Sequence, residues 1–373
     1  MKKNKTPILL FTLVLLAALL GGCGGAGSAA GGAADGAGRT AGGSAGAEPA
    51  QKASAVQPKS QTYFIFDTVV TVRIYDERAA EQNFKDLDVL LKEIDSRISR
   101  TDSSSEIYKV NANSGIAPVK VSPETFNLVA KALDYAKRTD GKFDPAIGNL
   151  VSLWNIGHEG AHVPPEEEIA EARRLTDYRK IELNEAAQEI YLQEKGMSVD
   201  LGSIGKGYAA DRIYDYLADQ GFHSAIIDLG GNVYAMGAKP NGDEWNIGIQ
   251  DPGKERGNSI GTIRVKDKTI VTSGIYERFF IENGKLYQHI LDPTTGYPVD
   301  NGISSVTIVT DKSADADALS TTLFVLGIDK GLEFIENTPN TEALFITKDK
   351  KLYATSGFKQ LLHKTNDSYT FTN

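Results

Sequence analysis

An abrupt change in composition near residue 59 divides this chain of 373 residues into two parts that cannot fold in the same way. Residues 24–58 are mainly Gly, Ala and Ser, and ten of the chain's 37 glycines lie within residues 24–46. Such a segment buries too little apolar surface to offset its conformational entropy. It is typical of a flexible tether, so a hydrophobic core must be built from residues 60–365.

The segment before the tether has the pattern of an export signal. Three lysines within residues 2–5 precede an apolar run over residues 7–20, which is short for a transmembrane helix. The run ends in Leu-Gly-Gly-Cys, which resembles a bacterial lipoprotein signal, although an ordinary buried cysteine is the alternative. We expect a signal peptide over residues 1–22 and lipid on Cys23, which would hold the protein at the extracytoplasmic face of the cell membrane.

Charge and cysteine content exclude several classes of protein. Cys23 is the only cysteine, so a disulfide framework and any zinc or iron–sulfur site with several cysteines are excluded. The formal net charge of −9 argues against a general nucleic-acid binder, and we expect no nucleic-acid partner.

The remaining sequence predicts one large α+β domain. The expected organisation is a lipidated Cys23 with a tether over residues 23–59, a domain over 60–365 and a tail over 366–373. Apolar spacing predicts helices over 78–98, 122–138, 204–217 and 314–326, and a helix followed by strands over 330–355. A strand or hairpin is predicted over 63–75, and further strands over 224–229, 231–236, 245–250, 261–266, 277–282 and 303–309. Helices come early and strands dominate later, which favours α+β over a regularly alternating sheet.

Four stretches could carry chemistry, and the first is a Gly-rich turn that leads into a helix. Residues 199–211 read VDLGSIGKGYAAD, which fits neither a Walker loop nor GxGxxG. Backbone amides at a helix start bind anions, and Lys206 adds a cation. A tight turn with a solvated lysine is the alternative interpretation.

The second and third stretches are turns between predicted strands. Residues 228–232 read DLGGN, a turn with left-handed glycines, and taken alone this segment favours a plain hairpin over a functional role. His289 lies between a polar hairpin and a Pro/Gly turn over residues 292–298, where a loop could present it for proton transfer. A surface histidine hydrogen-bonded within a turn is the alternative.

The fourth stretch is the helix around Asp317. Asp317 and Thr321 are four residues apart, so both lie on one side of the helix. A carboxylate and a hydroxyl are oxygen ligands that suit Mg²⁺. Alternatively, Thr321 bonds back to the carbonyl of Asp317, and Asp315 stabilises the start of the helix.

Together these stretches resemble the bacterial FAD:protein FMN transferases, the ApbE family. The matching blocks are FDPAIGNLVSLW at 143–154, DLGSIGKGYAAD at 200–211, DLGGN at 228–232, TSGIYER at 272–278, HILDPTTGYP at 289–298 and ADALST at 316–321. A seventh block, usually Met-Gly-Thr, corresponds to Phe66-Asp67-Thr68. The order and spacing of the blocks cover nearly the whole folded part.

The resemblance implies an enzyme with a fold similar to the tunnelling fold. Members cleave FAD at its pyrophosphate, transfer FMN to a Thr or Ser hydroxyl of an acceptor flavoprotein and release AMP. The acceptors are subunits of membrane redox complexes or extracytoplasmic flavoproteins. Lipoprotein forms are common in the family, which agrees with Cys23.

The resemblance also implies roles for individual residues. His289 would be the general base on the acceptor hydroxyl. Magnesium would be bound by Asp317, Thr321 and a carbonyl of the turn, taken as Ser203. FAD would be contacted by Phe66, Thr68, Asp144, Lys206, Thr272, Ser273, Gly274 and the backbone of Ile290 and Leu291.

Two other functions are compatible with the same residues. With water as acceptor, the protein would be an FAD pyrophosphatase that produces FMN and AMP. Without turnover, it would be a flavin-binding lipoprotein, although a carrier has no need of a base such as His289.

Overall fold

A computed structural model of the protein describes residues 56–373. The predicted signal peptide, Cys23 and the tether up to residue 55 lie outside the described residues. The first strand begins at Lys59, one residue before the predicted start of the domain.

Most of the strands belong to one large sheet. In chain order the strands are β1 (Lys59–Ile65), β2 (Thr68–Ile74), β3 (Val119–Lys120), β4 (Ile181–Asn184), β5 (Glu189–Leu192), β6 (Ser224–Leu229), β7 (Asn232–Gly237), β8 (Trp245–Gln250), β9 (Ser259–Val265), β10 (Lys268–Gly274), β11 (Phe279–Glu282), β12 (Lys285–Gln288), β13 (Ile303–Thr310), β14 (Glu342–Thr347), β15 (Lys351–Ala354), β16 (Leu362–Lys364) and β17 (Thr370–Phe371).

The helices are distributed along the whole described chain. They are α1 (Glu81–Ile98), α2 (Glu106–Ala112), α3 (Pro123–Arg138), α4 (Gly148–Trp154), α5 (Glu166–Arg174), α6 (Gly205–Asp219), α7 (Ser313–Leu326), α8 (Ile328–Glu336) and α9 (Ser356–Leu361).

The large sheet has the strand order β1-β2-β6-β7-β10-β13-β14-β15-β17. Its pairs are antiparallel except for β15 with β17. Smaller sheets join β16-β9-β8 and β3-β5-β4, and β11 pairs with β12 alone. A mixture of helices with a mainly antiparallel sheet confirms the α+β prediction.

Both faces of the large sheet are covered, so its side chains alternate between two cores. On β13 Ile308 packs among residues of α3 and α7, whereas its neighbour Val309 packs against β8, β9 and α9. The β2–β6 end of the sheet packs on α1 and α6 through residues such as Val72 and Ile213. All eight residues of β13 are buried, as expected for a central strand covered on both faces.

The long periodic elements lie where the sequence predicts them, whereas several short ones were not predicted. The helices α1, α3, α6 and α7 and the strands β6 and β8 agree with prediction to within a few residues. The predicted segment 63–75 is the β1–β2 hairpin. The elements that were not predicted include α2, α4, α5, β3, β4, β5, β10 and β12. Except for β10, these are short or weakly amphipathic segments with too few residues to show a clear period.

The predicted C-terminal tail over residues 366–373 is part of the fold. Thr370 and Phe371 form β17, which pairs with β15. Tyr369 is 2% exposed and donates a hydrogen bond to Asp251. The polar composition of the segment suggested a tail, but one buried tyrosine is sufficient to attach it to the domain.

No helix within residues 56–373 is long and apolar enough to cross a bilayer.

The close crossing of α6 and α7 depends on a glycine. A Cβ atom on Gly207 would lie 2.1 Å from the carbonyl oxygen of Ser313 and 2.7 Å from the Cα of Ala314. Asp211, one turn further along α6, accepts hydrogen bonds from the amides of Ser313 at 2.8 Å and Ala314 at 2.9 Å. The start of α7 is therefore capped by a carboxylate of α6.

Replacing Gly207 with Ala should force the two helices apart. We expect the free energy of unfolding to fall by about 1–3 kcal/mol, the usual cost of overpacking. Urea unfolding followed by circular dichroism measures the change. As control, Gly248→Ala should stay within about 0.5 kcal/mol of the unmodified protein, because its nearest neighbour, Ser259 Cβ, lies 3.5 Å away. Equal stability of both variants would contradict a tight crossing.

Candidate active site

The carboxylate of Asp317 joins the first and fourth stretches of the sequence. Asp317 lies on α7 and is 3% exposed. Its Oδ2 accepts a hydrogen bond from the amide of Gly207 at 2.9 Å, and its Oδ1 lies 3.2 Å from Nζ of Lys206. An otherwise costly buried charge is therefore compensated by one amide and one ammonium group.

Lys206 bonds to protein oxygens and is not a merely solvated lysine. Besides Asp317, its Nζ donates to the carbonyl of Gly202 at 3.3 Å. The turn itself is held by Asp200, which accepts from the amide of Gly202 at 2.8 Å and pairs with Arg100 at 2.9 Å. The ammonium group of Lys206 thus lies between a carboxylate and a turn carbonyl, and this position attracts a cation.

At the start of α6, a backbone carbonyl is left without a hydrogen bond, whereas two backbone amides are already engaged. The Gly205 amide donates to the carbonyl of Leu201, and the Gly207 amide donates to Asp317. Because Gly207 does not donate to Ser203, four residues earlier, the Ser203 carbonyl accepts no hydrogen bond from the described residues. The turn is thus less suited to bind an anion through its amides than the sequence predicts, and better suited to offer an oxygen ligand.

One turn along α7 from Asp317, the hydroxyl of Thr321 is not used within the fold. It makes no hydrogen bond with the described residues; Ser320 is the residue that donates to the carbonyl of Asp317, at 2.9 Å. The predicted alternative of a back-bonded Thr321 therefore does not occur in this structure. Asp315 accepts from Tyr135 at 2.7 Å and pairs with Lys131, so it serves the packing of α3 on α7.

The donor set of this site fits a hard divalent cation. It offers a carboxylate (Asp317), a hydroxyl (Thr321) and a carbonyl (Ser203), all oxygen ligands. Within residues 56–373, no group of three His, Cys, Asp or Glu side chains could hold a metal by itself. An ion here would complete its shell with water or phosphate oxygens, as Mg²⁺ commonly does.

His289 follows β12 directly and is half-buried. Its Nδ1 lies 3.3 Å from the carbonyl oxygen of Arg278, which also accepts from the His289 amide at 3.2 Å. Burial and the positive charges of Lys206 and Arg278 lower the pKa of His289 to about 4. The ring is therefore neutral at physiological pH, and the contact with a carbonyl assigns its proton to Nδ1, which leaves Nε2 as an acceptor.

Arg278 connects His289 to the first hairpin of the fold. Its Nη2 donates to the carbonyl of Asp67 at 3.1 Å. Phe66 and Asp67 form the two-residue turn between β1 and β2, and both have positive φ, 56° and 54°. This is the conformation of a type I′ turn, which normally favours Gly or Asn, so the turn carries local strain.

The DLGGN stretch is a tight hairpin turn between β6 and β7, as the simpler interpretation proposed, but it also contacts Thr68. A Cβ atom on Gly230 would lie 2.1 Å from Oγ1 of Thr68, so only glycine fits there. Arg256 covers the turn: its Nη2 donates to the Gly230 carbonyl at 2.7 Å and lies 3.5 Å from Glu277.

Thr272, Ser273 and Gly274 form the end of β10 and connect it to α7. Thr272 bonds to Thr307 across the sheet at 2.9 Å, and Ser273 bonds to Ser320 at 2.8 Å. Since Ser320 donates to the carbonyl of Asp317, the contact with Ser273 links β10 to the residue that carries the carboxylate.

The other predicted FAD contacts are already engaged in the fold. Asp144 accepts from the amides of Ala146 at 2.8 Å and Tyr178 at 3.0 Å, and burial raises its pKa to about 6. Ile290 and Leu291 are buried, and the Ile290 carbonyl accepts from an amide, that of Val299, at 2.9 Å. Their contact with FAD stays a prediction.

Sequence reasoning missed three charged residues of this region. Arg278 and Glu277 lie within the TSGIYER block, but they received no role there. Arg256 lies in a polar loop without any motif, so nothing in the sequence marks it. All three residues contact elements that are distant from them in sequence, and only the fold brings these elements close.

Comparison with known proteins identifies the family of this chain. The profile of the ApbE family matches residues 66–345. A FAD:protein FMN transferase of Treponema pallidum is 38% identical over 319 residues, which cover 81% of this chain and 88% of that protein. One from Klebsiella pneumoniae is 36% identical over 299 residues, covering 80% of this chain and 92% of that protein.

Solved structures show the same fold. The ApbE protein of Thermotoga maritima superposes with a TM-score of 0.75 at 33% identity, covering 83% of this chain and all of that one. The flavin transferase ApbE of Vibrio cholerae superposes with a TM-score of 0.72 at 28% identity, covering 82% of this chain and all of that one. Given the profile match and relatives aligned over most of their length, the chain belongs to the ApbE family.

Proposed function

We propose that this protein is a magnesium-dependent FAD:protein FMN transferase. It cleaves the pyrophosphate of FAD, attaches FMN through a phosphoester to a Thr or Ser hydroxyl of an acceptor flavoprotein, and releases AMP. The observation that carries the proposal is geometric: the Nδ1 of His289 contacts the Arg278 carbonyl, and the Asp317 carboxylate is held by the Gly207 amide and Lys206. The names of the relatives from Treponema pallidum and Klebsiella pneumoniae support the same reaction.

His289 acts as the general base. A Thr or Ser hydroxyl is a weak nucleophile until its proton is removed, and Nε2 of His289 is free to accept that proton. The hydroxyl oxygen bonds to the phosphorus of the FMN half, and the bond from that phosphorus to the oxygen of the AMP half breaks. The AMP phosphate leaves with the electron pair.

Lys206 and Arg278 prepare the site for a doubly charged pyrophosphate. Their charges attract the anion, and in its absence they add to burial, the larger cause, in lowering the pKa of His289. When the anion binds, its negative charge offsets these cations and raises the basicity of the imidazole. The base therefore becomes strongest when its substrate is present.

Asp317, Thr321 and the Ser203 carbonyl would hold Mg²⁺. Bound there, the ion neutralises negative charge on the phosphate oxygens. The carboxylate of Asp317 is held ready for this by the Gly207 amide.

We assign FAD binding to residues of the β1–β2 hairpin, the end of β10 and the segment after β12, together with one residue of the loop before α4 and one of α6. These are Phe66, Thr68, Asp144, Lys206, Thr272, Ser273, Gly274 and the backbone of Ile290 and Leu291. The proposal also places the enzyme at the extracytoplasmic face of the membrane through lipid on Cys23, supported by the signal pattern of the sequence.

A single assay separates transfer from hydrolysis and from binding alone. The protein is incubated with FAD, Mg²⁺ and an acceptor flavoprotein; flavin fluorescence in a denaturing gel then detects transfer, and chromatography detects free FMN. A covalent fluorescent band supports the proposal. Free FMN alone would indicate a pyrophosphatase, and neither product would indicate a flavin carrier.

Replacing His289 with Ala should lower the rate of FMN transfer by about 10²–10⁴-fold, the usual contribution of a general base. FAD binding should remain, because the cations and the turn are unchanged. The matched control is His162→Ala, at an exposed histidine outside the site, which should transfer normally. A near-normal rate in His289→Ala would disprove the assignment of the base.

Replacing Thr321 with Val removes a proposed metal ligand without changing size. We expect the Mg²⁺ concentration for half-maximal transfer to rise about tenfold, and to rise more for Asp317→Ala. The control is Thr322→Val at the next position, whose buried hydroxyl has no hydrogen-bond partner. Unchanged metal dependence in the Thr321 and Asp317 variants would remove both residues from the metal site.

The pH profile should reflect the low pKa of His289. A base must be unprotonated to act, so kcat/KM for FAD should fall only as the pH drops through about 4, and not through the ordinary value of 6.5. Lys206→Met removes one of the cations, so its acid limb should lie at higher pH. An acid limb near 6.5 in the unmodified enzyme would contradict this environment.

A further inference from the structure

The β11–β12 hairpin is separate from the rest of the sheet structure. Its two strands pair only with each other, through Phe279–Gln288, Phe280–Tyr287, Ile281–Leu286 and Glu282–Lys285. An isolated two-stranded sheet is marginally stable, and each of its strands has a free edge. It therefore needs support from its faces.

One face of the hairpin supplies that support. Phe280 and Tyr287 stack with ring centroids 5.2 Å apart, and both lie against the buried Trp154, at 6.5 and 5.6 Å. Glu282 accepts from the amide of Val163 at 3.3 Å. The inner face thus anchors the hairpin to α4 and to the loop before α5.

Three residues of the opposite face are apolar although they face solvent. Phe279, Ile281 and Leu286, which share this face because side chains alternate along a strand, are 43%, 65% and 40% exposed. The fourth residue of this face, Gln288, is buried beside Phe279. Since the inner face already anchors the hairpin, folding does not require apolar residues outside, and clustered exposed apolar groups mark interaction surfaces.

This outer face adjoins the reacting groups. Arg278 directly precedes β11, and His289 directly follows β12. An extended chain advances about 3.3 Å per residue, so a segment lying along β12 has residues close to the His289 ring. A cavity of about 40 Å³, lined in part by Leu286, Tyr287 and Tyr297, adjoins the same strand and admits no more than a short side chain.

We propose that the outer face of the β11–β12 hairpin is the docking surface for the protein acceptor, bound as an extended segment whose Thr or Ser hydroxyl reaches His289. This inference rests on the proposed function, which requires a polypeptide as second substrate. Apolar acceptor side chains contact Phe279, Ile281 and Leu286, and the free strand edges offer backbone hydrogen bonds.

The test uses a double variant and a matched control. Ile281→Thr with Leu286→Thr keeps strand-compatible residues and removes apolar surface. Ile116→Thr is the control, since Ile116 is 66% exposed, almost the same as Ile281, and lies outside the hairpin. The probe is the detergent-solubilised membrane fraction of cells that lack this gene, supplied with FAD and Mg²⁺ at several dilutions.

We expect the double variant to label the acceptor about tenfold more slowly at low acceptor concentration, with recovery at high concentration. The FAD affinity of the double variant, measured by flavin fluorescence, should equal that of the unmodified enzyme. The control Ile116→Thr should match the unmodified enzyme in both labelling rate and FAD affinity. Normal labelling by the double variant would overturn the docking surface. Absence of any labelled band with the unmodified enzyme would overturn the proposed function instead, and the docking surface with it.

Two further measurements distinguish other occupants of this face. If sedimentation shows a dimer that the double variant abolishes, the face binds a second copy of this chain. If the unmodified protein binds vesicles of phosphatidylglycerol and phosphatidylethanolamine and the double variant does not, the face binds lipid. Either result, together with normal acceptor labelling, overturns the proposal.

Discussion

The hydrogen bond from the Gly207 amide to the Asp317 carboxylate is the contact on which the rest of the site depends. It can form only because Gly207 lacks a side chain, which lets α6 approach the start of α7. The Gly207 amide is thereby engaged away from Ser203, whose carbonyl accepts no hydrogen bond from the described residues. One backbone interaction thus links the helix crossing to the oxygen ligands at which we propose a cation.

Burial and the charges around this contact together affect the proposed base. Burial lowers the pKa of His289, and Lys206, although bound to Asp317, lowers it further together with Arg278. In the proposed reaction an arriving pyrophosphate would relieve that effect, since its negative charge offsets the cations. In that reaction, electrostatics would couple substrate binding to the basicity of His289.

Two hairpins complete the site from the outside. The β1–β2 turn is held by Arg278, and Phe66 and Asp67 adopt left-handed backbone conformations there. The β11–β12 hairpin is anchored by its inner aromatic face and leads directly into His289. In the proposed reaction, the helix crossing and the sheet would bind FAD and its metal, whereas the outer hairpin would bind the protein substrate.

Sequence patterns alone determined the long helices, the α+β class and the start of the folded domain. These follow from periodicity and composition, which are local properties, whereas the set of motifs was marked by the resemblance to a family. Tertiary structure decided what the motifs do to each other: the Gly207 amide meets a carboxylate 110 residues away, and Arg278 reaches a turn 211 residues away. It also placed Tyr369 and β17 in the domain. In addition, Phe66 and Asp67 adopt a left-handed turn conformation that is usually found for glycine. These outcomes depend on contacts between distant segments, which no local pattern encodes.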